Sequence, residues 1–337
     1  MNVQERFNLI KRNTQEIITE GELKAILEEK KHPTSYWGTA TTGRIHIGYL
    51  IPLLKIADFL KAGFKFKILL ADLHAYLDDQ KSPWELLDAR SVYYQEIISA
   101  VFSALKVDTS GLIFVRGRDF QTNSEYVLDV LKMSTLTTLS RTKRAAAEVV
   151  RFGKEPKMGG FFYPLMQTED IPALGVDITF SGQDQRQIYM LSRELLPQIG
   201  YKKPACVFTP MLPGLTGAKM SSSDEKSKID LLDDKKLLIK KIGSAYCKEG
   251  EVKDNGILAF VEHFIFPFKN SFEIERPEKF GGNKRYEKFE TLKKDFVAKK
   301  LHPMDLKNSV AKELNELLDP VKVKFEKRKD LLREAYP

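Results

Sequence analysis

Between Ala40 and Gly48 the chain places Thr41, Thr42, Gly43, His46 and Gly48 immediately ahead of an apolar, helix-like run. Glycines let backbone come close to a ligand. Hydroxyls and an imidazole supply hydrogen-bond donors, and the start of a helix offers unpaired N–H groups to an anion. The combination suits a phosphate-bearing ligand, although glycine- and threonine-rich turns also join strands to helices with no ligand present. A second stretch, PGLTGAKMSSSDEKSKIDLLDD, follows the hinge glycines Gly214 and Gly217 with Lys219 and a run of serines. One movable positive charge on such an arm suits phosphate oxygens. The serines with Asp224 and Glu225 also read as a capped helix start, and the two readings are compatible. A third stretch, YPLMQTEDIPALGVDITFSGQDQRQI, spaces Tyr163, Gln167 and Asp170 at i, i+4 and i+7, one stripe of a helix. Such a stripe is either a solvated face or the polar wall of a pocket; Leu165, Ile171 and Leu174 are no better candidates for exposure.

These groups are positioned by an alternation of strands and helices. TSYWGT reads as a strand leading into the glycine turn, FKFKILL as a short apolar strand, and GLIFVRG and VDITFSG as buried strands. IGYLIPLLKIADFLKAGF is helical in period and stops at Gly63, as a glycine C-cap would. SPWELLDARSVYYQEIISAVFSAL opens with Ser82 as N-cap and Pro83 in the first turn, and QDQRQIYMLSRELLPQIG is again helical. Residues 1–30 read as helices, with Phe7, Ile10, Thr14 and Ile17 at three-to-four spacing. This rhythm predicts an α/β fold with a parallel sheet covered on both faces, and ligands bound beyond the C-terminal ends of the strands. After about residue 230 the patterns are those of amphipathic helices with almost no strand signal, so an α/β part over 1–229 and an all-helical part over 230–337 are expected.

The 337 residues are 42% hydrophobic, with 21 Phe and 12 Tyr, enough for a large core. The net charge of +8 fits a phosphate-bearing partner, although many enzymes are as basic. Cys206 and Cys247 form no CxxC motif, which argues against a disulfide framework and for a reducing compartment. The histidines are scattered, so no zinc site is read. The N-terminus lacks an apolar leader and no stretch has the length of a membrane span; a cytoplasmic protein is expected.

RIHIGY and KMSSS resemble the two signatures of class I aminoacyl-tRNA synthetases, H-I-G-H and K-M-S-K-S, in their usual order. Tyr49 stands where the first signature ends in histidine, and Ser222 where the second carries its second lysine; both departures resemble the eukaryotic and archaeal tyrosyl branch of the class. RPEKFGG, LHPMDLKN and NSVAKELNELLDP extend the resemblance over nearly the whole chain. It implies a Rossmann-like catalytic domain (1–229) followed by an all-helical anticodon-binding domain (230–337). The implied enzyme joins L-tyrosine to the 3′ end of tRNA(Tyr) through a tyrosyl-adenylate, with ATP as substrate and Mg2+ accompanying it. Tyr36 and Asp170 are implied at the phenol hydroxyl, and Tyr163, Gln167 and Gln185 at the α-amino group. Thr41, Thr42, Gly43 and His46 would meet the phosphates, Gly48 would let adenine and ribose pack close, and Lys219, with Met220 and Ser221, would close on the leaving pyrophosphate. The resemblance further implies a homodimer, with the metal held by phosphate oxygens and water.

His74, in ADLHAYLDD after a strand, is either part of the tyrosine pocket or structural. The basic run SRTKRAAAEVVRFGKEPK, with Arg141, Lys143 and Arg144, is either a solvated face or a contact for acceptor-stem phosphates. Phe280, His302 and Asp305 match family positions that meet the anticodon, where an aromatic platform with an acceptor carboxylate suits a splayed guanine; burial of Phe280 in the core is the competing reading. A tryptophanyl synthetase, a small-molecule adenylyltransferase and a non-catalytic RNA-binding paralogue are the rival classes. The Tyr36/Asp170 pair, the helical part with its KMSSS loop, and the retention of His46 and Lys219 weigh against them in turn. No editing insertion is visible, and with the chain ending at Pro337 no C-terminal extension is expected.

Overall fold

Two N-terminal helices, α1 (Val3–Lys11) and α2 (Glu20–Glu29), flank a short strand, β1 (Glu16–Ile18). Each helix opens with a capping box, Asn2 with Glu5 and Thr19 with Glu22. The helical spacing that runs on to Ile17 is broken by Asn13, at φ 52°, and Gln15 N–H then donates to the Phe208 carbonyl, drawing the next residues onto a sheet edge instead. The computed structural model describes residues 1–217 and 228–337, so Lys219, Met220, Ser221 and Ser222 lie outside the described residues.

From β2 (Thr34–Thr39) the alternation proceeds through α3 (Leu50–Lys61), β3 (Lys65–Leu70), α4 (Asp72–Leu77), α5 (Leu87–Ala104) and β4 (Leu112–Arg116). Helices α6 (Ser124–Leu136), α7 (Leu139–Ala146) and α8 (Met158–Ala173) come next, then β5 (Ile178–Gly182), α9 (Arg186–Leu195) and β6 (Ala205–Thr209). The six strands lie in the order β1-β6-β5-β2-β3-β4. All neighbours pair in parallel except β1 with β6. β2 sits where the order reverses: the chain leaves it for β3 on one side and returns to β5 on the other. A crevice therefore opens beyond the carboxyl ends of β2 and β5, the usual ligand position in such sheets. β5 and β6 are buried almost throughout, as strands covered on both faces must be. β4, expected to be buried, is the edge strand, and Ile113 on it is half exposed. Ser82 does not cap α5: its hydroxyl accepts from Arg90 Nη1 at 3.0 Å, and the helix begins at Leu87 after a 3-10 turn.

Beyond residue 230 come α10 (Lys235–Ser244), α11 (Gly256–Phe260), α12 (Phe266–Lys269), α13 (Phe289–Val297), α14 (Pro303–Glu326) and α15 (Lys329–Ala335). The region is not purely helical, because β7 (Phe272–Ile274) and β8 (Lys284–Tyr286) form a small antiparallel pair between α12 and α13. Helix α5 packs on α14 and α15. One hydrophobic cluster runs from Phe7 and Leu23 through the sheet to Leu331 and Ala335, and further clusters form around Tyr36, Tyr126 and Tyr163.

Candidate active site

A cavity of about 330 Å³ fills the crevice. β2 supplies Tyr36, the turn after it Thr42, His46 and Gly48, helix α8 Tyr163, Gln167 and Asp170, and the end of β5 Gln185 and Asp184. The stripe at i, i+4 and i+7 on α8 thus faces the cavity as a unit.

At its base the polar groups are held by one another. Tyr189 O–H donates to the Tyr36 hydroxyl at 3.1 Å, and Tyr36 O–H donates to the Gln167 carbonyl at 3.4 Å. Asp170 Oδ1 accepts from Gln121 Nε2 at 2.7 Å and Tyr126 O–H at 2.9 Å. Burial pushes the Asp170 carboxyl up to about 7, against the pull of those two donors. His74 lies in the same pocket, its Nε2 3.9 Å from Asp170 Oδ2 and its ring edge-on to Tyr163 at 4.6 Å. Burial brings its imidazole down to about 4, so it is neutral at pH 7. Nearer the mouth, Gln167 Nε2 donates to Gln185 Oε1 at 3.1 Å, leaving the rest of both amides for a ligand.

Gln121, Tyr126 and Tyr189 escaped the sequence reading. Gln121 stands shortly after the end of β4, where strand topology places ligand groups. A Cβ on Gly117 would lie 2.5 Å from Gln121 Oε1 and 2.7 Å from Asp72 Oδ1, so the glycine there makes room for the Gln121 amide. Tyr189 was legible as the i+4 neighbour of Gln185.

The turn after β2 forms the other half of the site. His46 caps the 3-10 turn that leads into α3, accepting from Gly48 N–H at Nδ1, 3.2 Å away. Burial and the nearby Lys228 ammonium lower its pKa to about 4. The ring is therefore neutral with its proton on Nε2, an uncharged donor. Tyr49, the residue that departs from the signature, packs edge-on to His46 at 5.1 Å and Trp37 at 5.9 Å. Residues 45–47 are stitched to the stretch just after the undescribed segment: Ile47 N–H donates to Ile229 O and Leu231 N–H to Ile45 O, and Arg44 Nε pairs with Asp230 at 2.8 Å. Thr41 and Gly43 do not line the cavity; Thr41 is buried, and the Gly43 carbonyl accepts from Tyr94.

The remaining site residues lie elsewhere. Arg141, Lys143 and Arg144 follow one another on α7, where Arg141 pairs with Glu194 and Lys143 sits 5.7 Å from the Phe152 ring centre. Phe280 is 58% exposed, which removes the core reading. Arg276 ties its loop to the Lys300 carbonyl, near His302, which caps α14, and Asp305 in that helix's first turn.

Beside Asp170, the buried Glu169 is pushed up to about 8, first by burial and then by Asp129 and Asp170, with Lys132 opposing. The folded chain keeps a proton that the unfolded chain releases above an ordinary 4.5, so this group erodes stability as pH rises from about 5 to 8. Glu169→Gln is expected to raise Tm by roughly a few degrees at pH 8 and by under about one degree at pH 5, measured by thermal unfolding.

Comparison with known proteins adds the family. Residues 28–319 match the model for tRNA synthetases class I (W and Y). The tyrosine–tRNA ligase of Haloarcula marismortui is 48% identical, covering 100% of this chain and 98% of its own. The cytoplasmic tyrosine–tRNA ligase of Gallus gallus is 49% identical over 99% of this chain, which spans 64% of that longer protein. The crystal structure of Archaeoglobus fulgidus tyrosyl-tRNA synthetase complexed with L-tyrosine superposes with a TM-score of 0.90 at 42% identity, over 96% of this chain and 99% of that one. With the signature turn, the sheet order and these likenesses in agreement, the chain belongs to the tyrosyl branch of the class I aminoacyl-tRNA synthetases.

Proposed function

We propose that the chain activates L-tyrosine with ATP and transfers it to the 3′ end of tRNA(Tyr), and that the cavity after β2 and β5 is where both substrates meet. The observation that carries this is the paired base of the cavity: the Tyr36 hydroxyl and the Asp170 carboxylate are both buried and held in place. A phenol can both donate and accept there; a phenyl ring would leave the remaining hydrogen-bonding capacity of these buried groups, Asp170 Oδ2 above all, unmet, which is costly in a buried site. Tyr163, Gln167 and Gln185 nearer the mouth suit the α-amino group.

The reaction needs no protein nucleophile. A carboxylate oxygen of tyrosine attacks the α-phosphorus of ATP, the bond to the bridging oxygen breaks, and pyrophosphate leaves. A ribose hydroxyl of the terminal tRNA adenosine then attacks the activated carbonyl and AMP departs. The protein positions the groups and meets the developing charge. His46 Nε2–H, Thr42 and the backbone of the turn that follows it serve the phosphates, Gly48 admits adenine and ribose, and Lys219, Met220 and Ser221 serve the pyrophosphate. Magnesium accompanying ATP would supply charge neutralisation at the phosphates. On the cavity wall Asp78 is already paired with Lys81, which suits a metal that would be carried mainly by phosphate oxygens and water.

Residues 1–229 form the activating part in this reading, and 230–337 the part that reads the anticodon. The exposed Phe280 ring, together with His302 and Asp305 at the start of α14, suits a splayed base, and the basic residues of α7 suit acceptor-stem phosphates. Val127, Leu128 and Leu131 form an exposed apolar stripe on α6, and Ile113 of β4 is exposed as well. A homodimer would cover it. We place the protein in the cytoplasm, as its relatives' names suggest.

The test is exchange of labelled pyrophosphate into ATP. Tyrosine drives it; tryptophan and phenylalanine do not. In Phe280→Ala exchange is unchanged while tRNA charging falls roughly tenfold, in line with the loss of one stacked base. Exchange driven by tryptophan overturns the assignment of substrate.

A further inference from the structure

Helix α5 holds the backbone of the signature turn at successive points. Arg90 Nη1 donates to the Thr42 carbonyl at 2.7 Å, Tyr94 O–H donates to the Gly43 carbonyl at 2.6 Å, and Ile45 N–H donates to the Tyr93 hydroxyl at 3.3 Å. A trans peptide points its C=O and N–H in opposite directions. With the Thr42 and Gly43 carbonyls drawn onto α5, the amides of Gly43 and Arg44 point away from that helix. Consecutive N–H groups aimed one way make an anion-binding concavity.

The same side chains reach backwards to the last helix. Arg90 Nε donates to the Ala335 carbonyl at 3.0 Å, and the guanidinium lies over the Tyr336 ring at 4.8 Å. Nη1 also reaches the Lys81 carbonyl and the Ser82 hydroxyl, each at 3.0 Å. The Tyr93 ring meets Tyr336 edge-on at 5.2 Å and Phe325 at 5.8 Å. Arg90, Tyr93 and Tyr94 are all buried. The partners named for Arg90 are neutral oxygens and one aromatic ring, so its charge stays available as positive potential behind the turn.

We propose that Arg90, Tyr93 and Tyr94 are positioning residues for ATP, and that Ala335–Tyr336 at the far end of the chain complete the same scaffold. The fork of an arginine is required, because a lysine cannot bond the turn, the 81–82 loop and α15 in one geometry. The tyrosine pocket, built on α8 and the far side of β2, does not share these contacts.

The proposal rests on reading the 41–48 turn as the ATP site, and the experiment separates the two. Steady-state pyrophosphate exchange is measured on the full chain for Arg90→Lys, Tyr94→Phe, Tyr336→Ala and His46→Ala, with tyrosine affinity by calorimetry and Tm for each. Expected are KM increases for ATP of about tenfold for Arg90→Lys and Tyr336→Ala and about threefold for Tyr94→Phe, with tyrosine affinity within twofold of the parent. Tyr94→Phe removes one hydroxyl only, so it reports even if the arginine variant unfolds. An unchanged KM for ATP in Tyr94→Phe, or tyrosine affinity lost in step with it, overturns the positioning role while His46→Ala still impairs the reaction. If His46→Ala leaves the kinetics untouched, the reading of the turn fails, and the proposal with it.

Discussion

Replacing Asp170 with alanine lowers kcat/KM for tyrosine in pyrophosphate exchange by roughly 10²- to 10³-fold while leaving KM for ATP nearly unchanged. The carboxylate is the acceptor at the base of the cavity, and Gln121 and Tyr126 already donate to one of its oxygens. In the proposed reading its removal takes away a charge-assisted bond to the substrate, worth about 1.5–3 kcal/mol, and costs the Gln121 amide its closest acceptor, while the Tyr126 hydroxyl keeps the Met166 carbonyl. The pH profile carries a sharper sign. Burial sets the Asp170 carboxyl at about 7 in the free enzyme, whereas the phenol of tyrosine stays protonated up to about 10. In the proposed reading only ionised Asp170 accepts from both its neighbours and the phenol, so kcat/KM for tyrosine is expected to rise with pH through about 7. Asp170→Asn flattens that rise. A profile that keeps its inflection in the asparagine variant would assign it to another group.

His46→Ala is expected to cost about 10²- to 10³-fold in the maximal rate of exchange, the usual consequence of losing one donor aimed at transition-state charge. Tyrosine affinity, read by calorimetry, should not move. With its pKa near 4, the imidazole would work as an uncharged Nε2–H donor, and the rate is expected to show no inflection from this group between pH 6 and 8. His46→Asn, which retains a donor, recovers part of the loss. An imidazolium mechanism predicts the opposite: activity falling as pH passes the ordinary histidine range and no recovery with asparagine.

The turn from Thr41 to Gly48 and the Tyr163/Gln167/Asp170 stripe were legible because each is local: one is set by glycines and a helix start, the other by helical period. Tyr126 was not, since it comes to Asp170 from α6, 44 residues away in sequence, and no periodicity on one element announces a partner on another. The strand β6 is hard to read for a related reason. ACVFT is short and apolar, and only its pairing with β5 and β1 makes it a strand. β7 and β8 are three residues each, too short for an alternation to register. Ser82 misled because a serine before a proline reads as a cap until a buried arginine is found to need its oxygen.

The contact between Arg90 and Ala335 also bears on how the chain is made. These residues are 245 apart in sequence, and the core that runs to Leu331 and Ala335 begins at Phe7. Contacts of such sequence separation form late and slow the search for the folded state. During synthesis the strands of the sheet emerge and can pair well before α15 is available. The backbone of the signature turn therefore acquires its full set of supports only when α15 has left the ribosome, so a nascent chain stalled short of α15 carries a sheet without a finished turn.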